Sequence, residues 1–243
     1  MKSRQPRSCD IGGSLVASFS GSDRQSNRQA RWREAQRREL NFWRSNEVKP
    51  HSKAFWERKY RMFLAAPPLE GRVLEVGCGP SGAIGYLPGD FMRVGIDPLA
   101  TAYRDHELIR RDHPVELCVA TGEELPFGDE KFDVVLSFNT LDHVIDPVAA
   151  MGEMIRVAKK GGTILVWVHV LQDRWRVLRS LVSLVDRTHP HHVPLEEVVD
   201  RLYEGMCSIQ GCRRERPMMS PTSVKARVGN LLLESAYLTL RRF

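Results

Sequence analysis

The stretch Val73-Leu74-Glu75-Val76-Gly77-Cys78-Gly79-Pro80-Ser81-Gly82 decides the fold. Val73, Leu74 and Val76 form a short apolar run suited to a buried strand. Gly77 and Gly79 then let the backbone turn sharply and approach a ligand with no Cβ in the way. Gly77, Gly79 and Gly82 satisfy the spacing G-x-G-x-x-G, and a second apolar run, Met92 to Ile96, ends at an acid, Asp97. A strand, a glycine turn and an acid after the next strand predict a nucleoside-binding unit at the mouth of a parallel sheet.

Charge narrows the choice of ligand. A dinucleotide brings an anionic pyrophosphate, which wants a helix N-terminus and a nearby cation. S-adenosylmethionine brings a sulfonium and an ammonium, for which carboxylates are the better lining. Glu75 stands two residues before the first glycine, and no Lys or Arg occurs between Arg72 and Arg93. The residues favour the sulfonium compound over NAD.

Further along, the chain resembles the class I S-adenosylmethionine-dependent methyltransferases of the type 11-like kind. Gly95-Ile96-Asp97-Pro98-Leu99 looks like that family's second-strand end, and Thr121-Gly122-Glu123-Glu124-Leu125-Pro126-Phe127 like its adenine loop. Phe132 to Ser137 resembles its fourth strand, Leu141-Asp142-His143-Val144 with Asp146-Pro147 its acceptor-side loop, and Lys159-Lys160-Gly161-Gly162 its turn into strand five. Five motifs in order from Gly71 to Val170 are far more specific jointly than the glycine pattern alone.

Strands alternating with helical stretches predict an α/β fold with a doubly wound parallel sheet covered on both faces. Helices are expected at Pro80 to Leu87, Thr101 to Arg111 and Pro147 to Lys159, the last with Val148, Met151, Ile155 and Ala158 at helical spacing. The resemblance implies a Rossmann-like, mostly parallel seven-stranded sheet closed by an antiparallel C-terminal hairpin, near Cys207 to Cys212 and Ala236 to Leu240. Residues 67–243 form this expected core, with a polar insert at 171–194 that ends in His189-Pro190-His191-His192 and is followed by a short helix from Pro194 to Leu202.

Ahead of the core lie a basic arm, 1–28, expected to be disordered, and a helical segment, 29–66. The run from Gln29 to Glu47 places Trp32, Gln36, Leu40 and Trp43 near one face; Pro50 ends it, and a second helix, His51 to Leu64, carries Phe55, Trp56, Tyr60 and Phe63. Aromatic stripes at this spacing pack on a core more often than they touch a ligand. A lid in which Trp43, Trp56 or Tyr60 meets the substrate is the sharper reading, compatible with the first.

Residues 1–61 carry fifteen Lys or Arg against six Asp or Glu, and the remainder 21 against 24, so the basic character of the chain belongs to its N-terminal part. The five cysteines, Cys9, Cys78, Cys118, Cys207 and Cys212, are odd in number with no C-x-x-C pair, which predicts reduced thiols and a cytoplasmic location. The longest apolar run, Thr163 to Leu171, is far short of the roughly 20 residues a membrane-spanning helix needs.

The resemblance assigns roles residue by residue. Asp97, with Pro98, is expected at the ribose; Glu75 and the backbone of Gly77, Cys78 and Gly79 at the methionyl end; Thr121, Gly122 and Glu123 at the adenine; Asn139 and Thr140 near the sulfonium. The family often has an Asp where Thr121 stands, so a hydroxyl contact or a switch to Glu123 would replace a charge-assisted one. His143 and His192, with His189 as a rival, are the candidate bases for a hydroxyl acceptor. The histidines lack carboxylate or thiol neighbours at ligand spacing, so no metal is expected. Asn139-Thr140-Leu141-Asp142 lacks the two prolines and aromatic of adenine-amino methyltransferases, and there is no Pro-Cys pair of the cytosine-C5 type. The expected acceptor is a small molecule or glycan, at oxygen. RNA or protein remains the alternative through the basic arm, and a non-catalytic module of the same fold is a third.

Overall fold

The computed structural model describes residues 21–45, 51–172, 174–175, 206–216 and 232–243, with the side chains of 21–25 and 27 left aside. The histidine-bearing insert, the expected helix at Pro194 to Leu202 and most of the basic arm lie outside these residues. Seven strands form one sheet in the order β3-β2-β1-β4-β5-β7-β6. β1 (Gly71–Val76), β2 (Phe91–Ile96), β3 (Glu116–Cys118), β4 (Phe132–Phe138) and β5 (Ala158–Leu171) run parallel. β7 (Leu233–Arg242) inserts antiparallel between β5 and β6 (Cys207–Glu215). The chain steps outward from β1 to β3 and then returns to β4 on the other side of β1, so the order reverses between β1 and β4. That reversal opens a crevice at the carboxyl ends of these two strands.

Both faces of the sheet are apolar, as parallel strands require. Leu74, Val76, Val135, Ile164 and Val166 point to one side with Met151, Met154 and Ile155 of α4 (Pro147–Val157); Val73, Val134, Leu136, Leu165 and Trp167 point to the other with Trp56 and Phe63. α4 begins as its sequence indicates: Pro147 occupies the first turn and Asp146 accepts from the amides of Val148 and Ala149.

The helices expected in the core are shorter than their sequence suggested, two of them markedly so, while α4 stops at Val157 rather than Lys159. Between Pro80 and Leu87 only a 3-10 turn forms, Ala83–Gly85. Glycines at 79, 82 and 85 disfavour a longer helix, and a Cβ at Gly82 would lie 2.3 Å from the Cys78 carbonyl oxygen. The helix expected to reach Arg111 stops at Asp105 (α3, Ala100–Asp105), because the segment after it bonds elsewhere. The Arg110 amide donates to the Pro80 carbonyl, and those of Asp112 and His113 donate to Gly85. The backbone from 110 to 113 therefore clasps the glycine turn.

α1 spans Gly21–Arg44, starting earlier and ending sooner than expected, and α2 spans Lys53–Tyr60 with Ser52 capping Phe55. In α1 the shielded positions Trp32, Ala35, Gln36, Glu39, Leu40 and Trp43 follow helical spacing, while Arg28, Arg31, Arg33 and Arg37 stay exposed.

Candidate functional site

A cavity of about 700 Å³ opens at the crevice between β1 and β4. Of the residues the sequence singled out, Glu75, Gly77, Cys78, Gly79, Asp97, Pro98, Thr121, Gly122, Glu123, Asn139, Thr140 and His143 all line it. His192 lies outside the described residues. α1 contributes Trp32, Gln36, Arg38, Glu39, Phe42 and Trp43, and the rings of His51, Trp56, Phe138 and Trp167 also line the wall. Of the three aromatics considered for a lid contact, Trp43 and Trp56 line the cavity; Tyr60 does not, and its hydroxyl donates to the Pro67 carbonyl.

The glycine turn is held by the two acids expected to serve the ligand. Glu75 is buried, and its two oxygens accept from the amides of Ala83 (3.1 Å) and Ile84 (2.9 Å). Asp97 accepts from Gly79 (2.8 Å) with one oxygen and from Leu99 (2.8 Å) with the other, tying β1's exit loop to the end of β2. Each carboxylate oxygen keeps a further lone pair. Gly77 has φ +70°, and a Cβ there would lie 2.1 Å from Thr140 Cγ2, so both the turn and the approach of the β4 loop demand glycine.

Burial raises the Glu75 carboxyl to about 7, against the lowering effect of its two amides. Burial likewise raises Asp97 to about 6, and the Glu39 carboxylate of α1 adds to that rise. Arg111, whose charge lowers both, donates to the Gly79 carbonyl (3.0 Å) and to Cys78 Sγ (3.5 Å). Two acids whose ionisation is opposed by burial suit a ligand that brings positive charge to them. A pyrophosphate would worsen the imbalance. Thr121 and Gly122 line the same half, while Glu123 is committed to the amides of Ile145 and Asp146 and so anchors the loop entering α4.

The other half of the cavity is ringed. His51 stacks on Phe55 at 4.0 Å and meets Trp43 and Trp56 edge-on. Burial, then the Lys59 charge, lowers its pKa, which favours the neutral ring. The Trp56 indole donates to the Ser81 carbonyl (3.0 Å), fixing α2 against the glycine turn. His143 Nε2 stands 3.9 Å from Asp142 Oδ1. Sequence reading missed Glu39, His51 and Trp167. Only Glu39 left a trace, sharing a helical face with Trp32, Gln36 and Trp43.

A mostly parallel sheet with a cavity at its order reversal, lined by both acids and rings, defines a Rossmann-like fold suited to a cationic adenosyl ligand. A family profile described as "Methyltransferase domain" matches residues 74–166. That segment is a class I S-adenosylmethionine-dependent methyltransferase domain. The chain is 35% identical over 121 residues to the demethylmenaquinone methyltransferase of Roseiflexus sp. (strain RS-1), a match covering 48% of this chain and 50% of that protein. It is 33% identical over 107 residues to the chloroplastic tocopherol O-methyltransferase of Arabidopsis thaliana, covering 40% of this chain and 30% of that one. The chain thus spans half or less of the length of these relatives. Among solved structures, geranyl diphosphate C-methyltransferase from Streptomyces coelicolor A3(2), in complex with Mg2+, geranyl diphosphate and S-adenosyl-L-homocysteine, superposes with a TM-score of 0.60 at 15% identity. That match covers 78% of this chain and 79% of that structure. At that identity the likeness concerns the fold. No described helix is long and apolar enough to cross a membrane.

Proposed function

We propose that this protein transfers the methyl group of S-adenosylmethionine to a small-molecule or glycan-type acceptor, with oxygen as the target atom. The observation that carries the reading is the lining of the cavity, which combines the carboxylates of Glu39, Glu75 and Asp97 with the rings of Trp43, Trp56, Phe138 and Trp167. When bound, the cofactor supplies an electrophilic methyl group activated by its sulfonium. Asp97 has lone pairs left to accept from ribose hydroxyls; Thr121 and the Gly122 amide face the adenine end; Glu75 and the Gly77 to Gly79 backbone serve the methionyl end. Asn139 and Thr140 would stand beside the sulfonium. The chain's own work is then alignment, exclusion of water and removal of one proton. His143, beside the buried Asp142, takes that proton from the acceptor hydroxyl.

The names of two relatives give demethylmenaquinone and tocopherol as acceptors, the second methylated at oxygen, in keeping with a ring-lined pocket here. Calorimetric titration with S-adenosylmethionine and with NADH, followed by transfer of a tritiated methyl group to a panel of phenols and glycosides, tests the reading. Binding of the first ligand alone and labelling of a hydroxylated acceptor are expected. Silence toward S-adenosylmethionine would remove the proposal. One observation favours a second reading, an RNA or protein acceptor: Arg28, Arg31, Arg33 and Arg37 are exposed on the helix whose inner face lines the cavity. It requires salt-sensitive binding that disappears when these arginines are replaced.

A further inference from the structure

α1 brings a carboxylate, Glu39, to the cavity, and it does so from well ahead of residues 74–166, where the methyltransferase profile begins and ends. Helical spacing sets Glu39 on the face that also carries Trp32, Gln36 and Trp43, all of them cavity-lining. The Trp43 indole, one turn further on, donates to Glu39 Oε1 at 2.7 Å and so fixes the carboxylate on that face. Oε2 accepts no bond among the described residues. Glu39 is partly exposed, so this oxygen belongs to a group that a ligand can reach. The neighbouring cations are spent elsewhere: Arg37 and Arg38 both donate to Glu34.

Glu39 meets Asp97 at the cavity. Its charge opposes the ionisation of Asp97, and the charges of both acids push up the Tyr103 phenol of α3. Tyr103 is itself tied to Asp97 through one turn of backbone: its amide donates to the Leu99 carbonyl, and the Leu99 amide donates to Asp97. All three side chains line the same cavity. α1, the exit of β2 and α3 thus converge on one spot, although α1 lies far from the other two in sequence. Two carboxylates brought together repel unless a cation or a hydrogen-bond donor lies between them. Each Asp97 oxygen has given one lone pair to a backbone amide, Gly79 or Leu99, and keeps one for a ligand. A vicinal diol brings two O–H donors that rotate freely, which suits it to bridge two such acids.

We propose that Glu39 accepts a hydrogen bond from a ribose hydroxyl of the cofactor, so that the diol bridges Asp97 and α1 and the cofactor holds α1 over the crevice. The inference rests on the methyl-transfer reading above and adds to it a cofactor residue from outside the profile-matched segment. By reciprocity, whatever factor Glu39 contributes to cofactor affinity, the cofactor returns to the seating of α1. The helix is then a lid on the cofactor as well as a wall toward the acceptor, and its lifting is coupled to cofactor exchange.

The test compares S-adenosylhomocysteine with its 2′,3′-dideoxy analogue by calorimetry, on wild type and on Glu39→Gln. The variant keeps the length of the side chain and an oxygen for the Trp43 indole, and loses the charge. It should bind S-adenosylhomocysteine about tenfold less tightly, the scale of one charge-assisted hydrogen bond, and the dideoxy analogue within about twofold of wild type. In hydrogen–deuterium exchange, saturating S-adenosylhomocysteine should slow the amides of 28–44 by about tenfold in wild type and by no more than about threefold in the variant. An unchanged urea midpoint shows that the variant is folded. A loss that is equal for the two ligands, or no loss for either, overturns the bridge, as does exchange in α1 that ignores the ligand in wild type. If wild type does not bind S-adenosylhomocysteine at all, the methyl-transfer reading falls and the bridge with it.

Discussion

Cofactor affinity should climb steeply between about pH 5 and pH 7, because the acids at the empty site give up their protons only over that range. Burial carries Asp97 from 3.8 to about 6 and Glu75 from 4.5 to about 7. In the folded chain both hold their protons to higher pH than in the unfolded one. Their contribution to stability is therefore fully present below the unfolded values and is lost as pH rises through about 6 and about 7. A cationic ligand, or ribose hydroxyls donating to Asp97, favours the ionised forms, so binding must displace protons and strengthens as they leave. For Asp97 alone, roughly one-tenth is ionised at pH 5 and nine-tenths at pH 7, about tenfold in affinity or ~1.4 kcal/mol. If Glu75 must ionise too, it adds roughly another fiftyfold over the same interval. Calorimetry with S-adenosylmethionine in two buffers of different ionisation enthalpy measures both the affinity and the protons released. Asp97→Asn should remove the Asp97 step and leave any contribution from Glu75. Its amide would also set an N–H against the Gly79 or Leu99 amide, which now donates to a carboxylate oxygen, so affinity at pH 7 should fall by about tenfold or more. An affinity that stays flat from pH 5 to pH 8, or a slope unchanged in Asp97→Asn, would refute the reasoning.

Other perturbations probe separate parts of the site. Gly77→Ala puts a Cβ 2.1 Å from Thr140 Cγ2 at φ +70°, and urea unfolding should register a loss of about 2–4 kcal/mol together with lost cofactor binding. Pairing it with Thr140→Ala should restore only part, since the φ remains. Arg156 donates to the carbonyls of Leu125 and Phe127 and to Glu153 and Asp129, which holds the loop after Thr121 on α4. Arg156→Ala should cost about 1–3 kcal/mol in urea unfolding, less than a fully buried network would, because the side chain is one-third exposed. His143→Gln should lower methyl transfer by about 10²- to 10⁴-fold while cofactor affinity stays within about twofold. If His51→Gln has that effect instead, the proton goes to the ring-caged imidazole.

The strands were legible because parallel strands buried on both faces leave continuous apolar runs, and Val73 to Val76, Val134 to Phe138 and Thr163 to Leu171 have little else they could be. The placement of the C-terminal hairpin was implied by resemblance rather than read from the residues, and the order β5-β7-β6 follows it. Helix lengths failed where tertiary hydrogen bonds outbid local propensity: nothing in Leu108 to His113 announces that its amides will bond to Pro80 and Gly85. At the site, Asp97 was legible by its position after β2, yet half of its work is invisible in sequence, since each oxygen first secures an amide of the protein. The ring-lined half was least legible for a topological reason. Trp43 and Trp56 come from helices that precede the sheet and His51 from the link between them, whereas Phe138 and Trp167 come from strands on the far side of the order reversal, and no local pattern joins them. The two halves also differ in what their residues do for the fold. Glu75 and Asp97 hold the turn that presents them, so a change there costs structure and ligand together. In the ring-lined half the support is ring against ring, His51 on Phe55 and Trp167 on Tyr237.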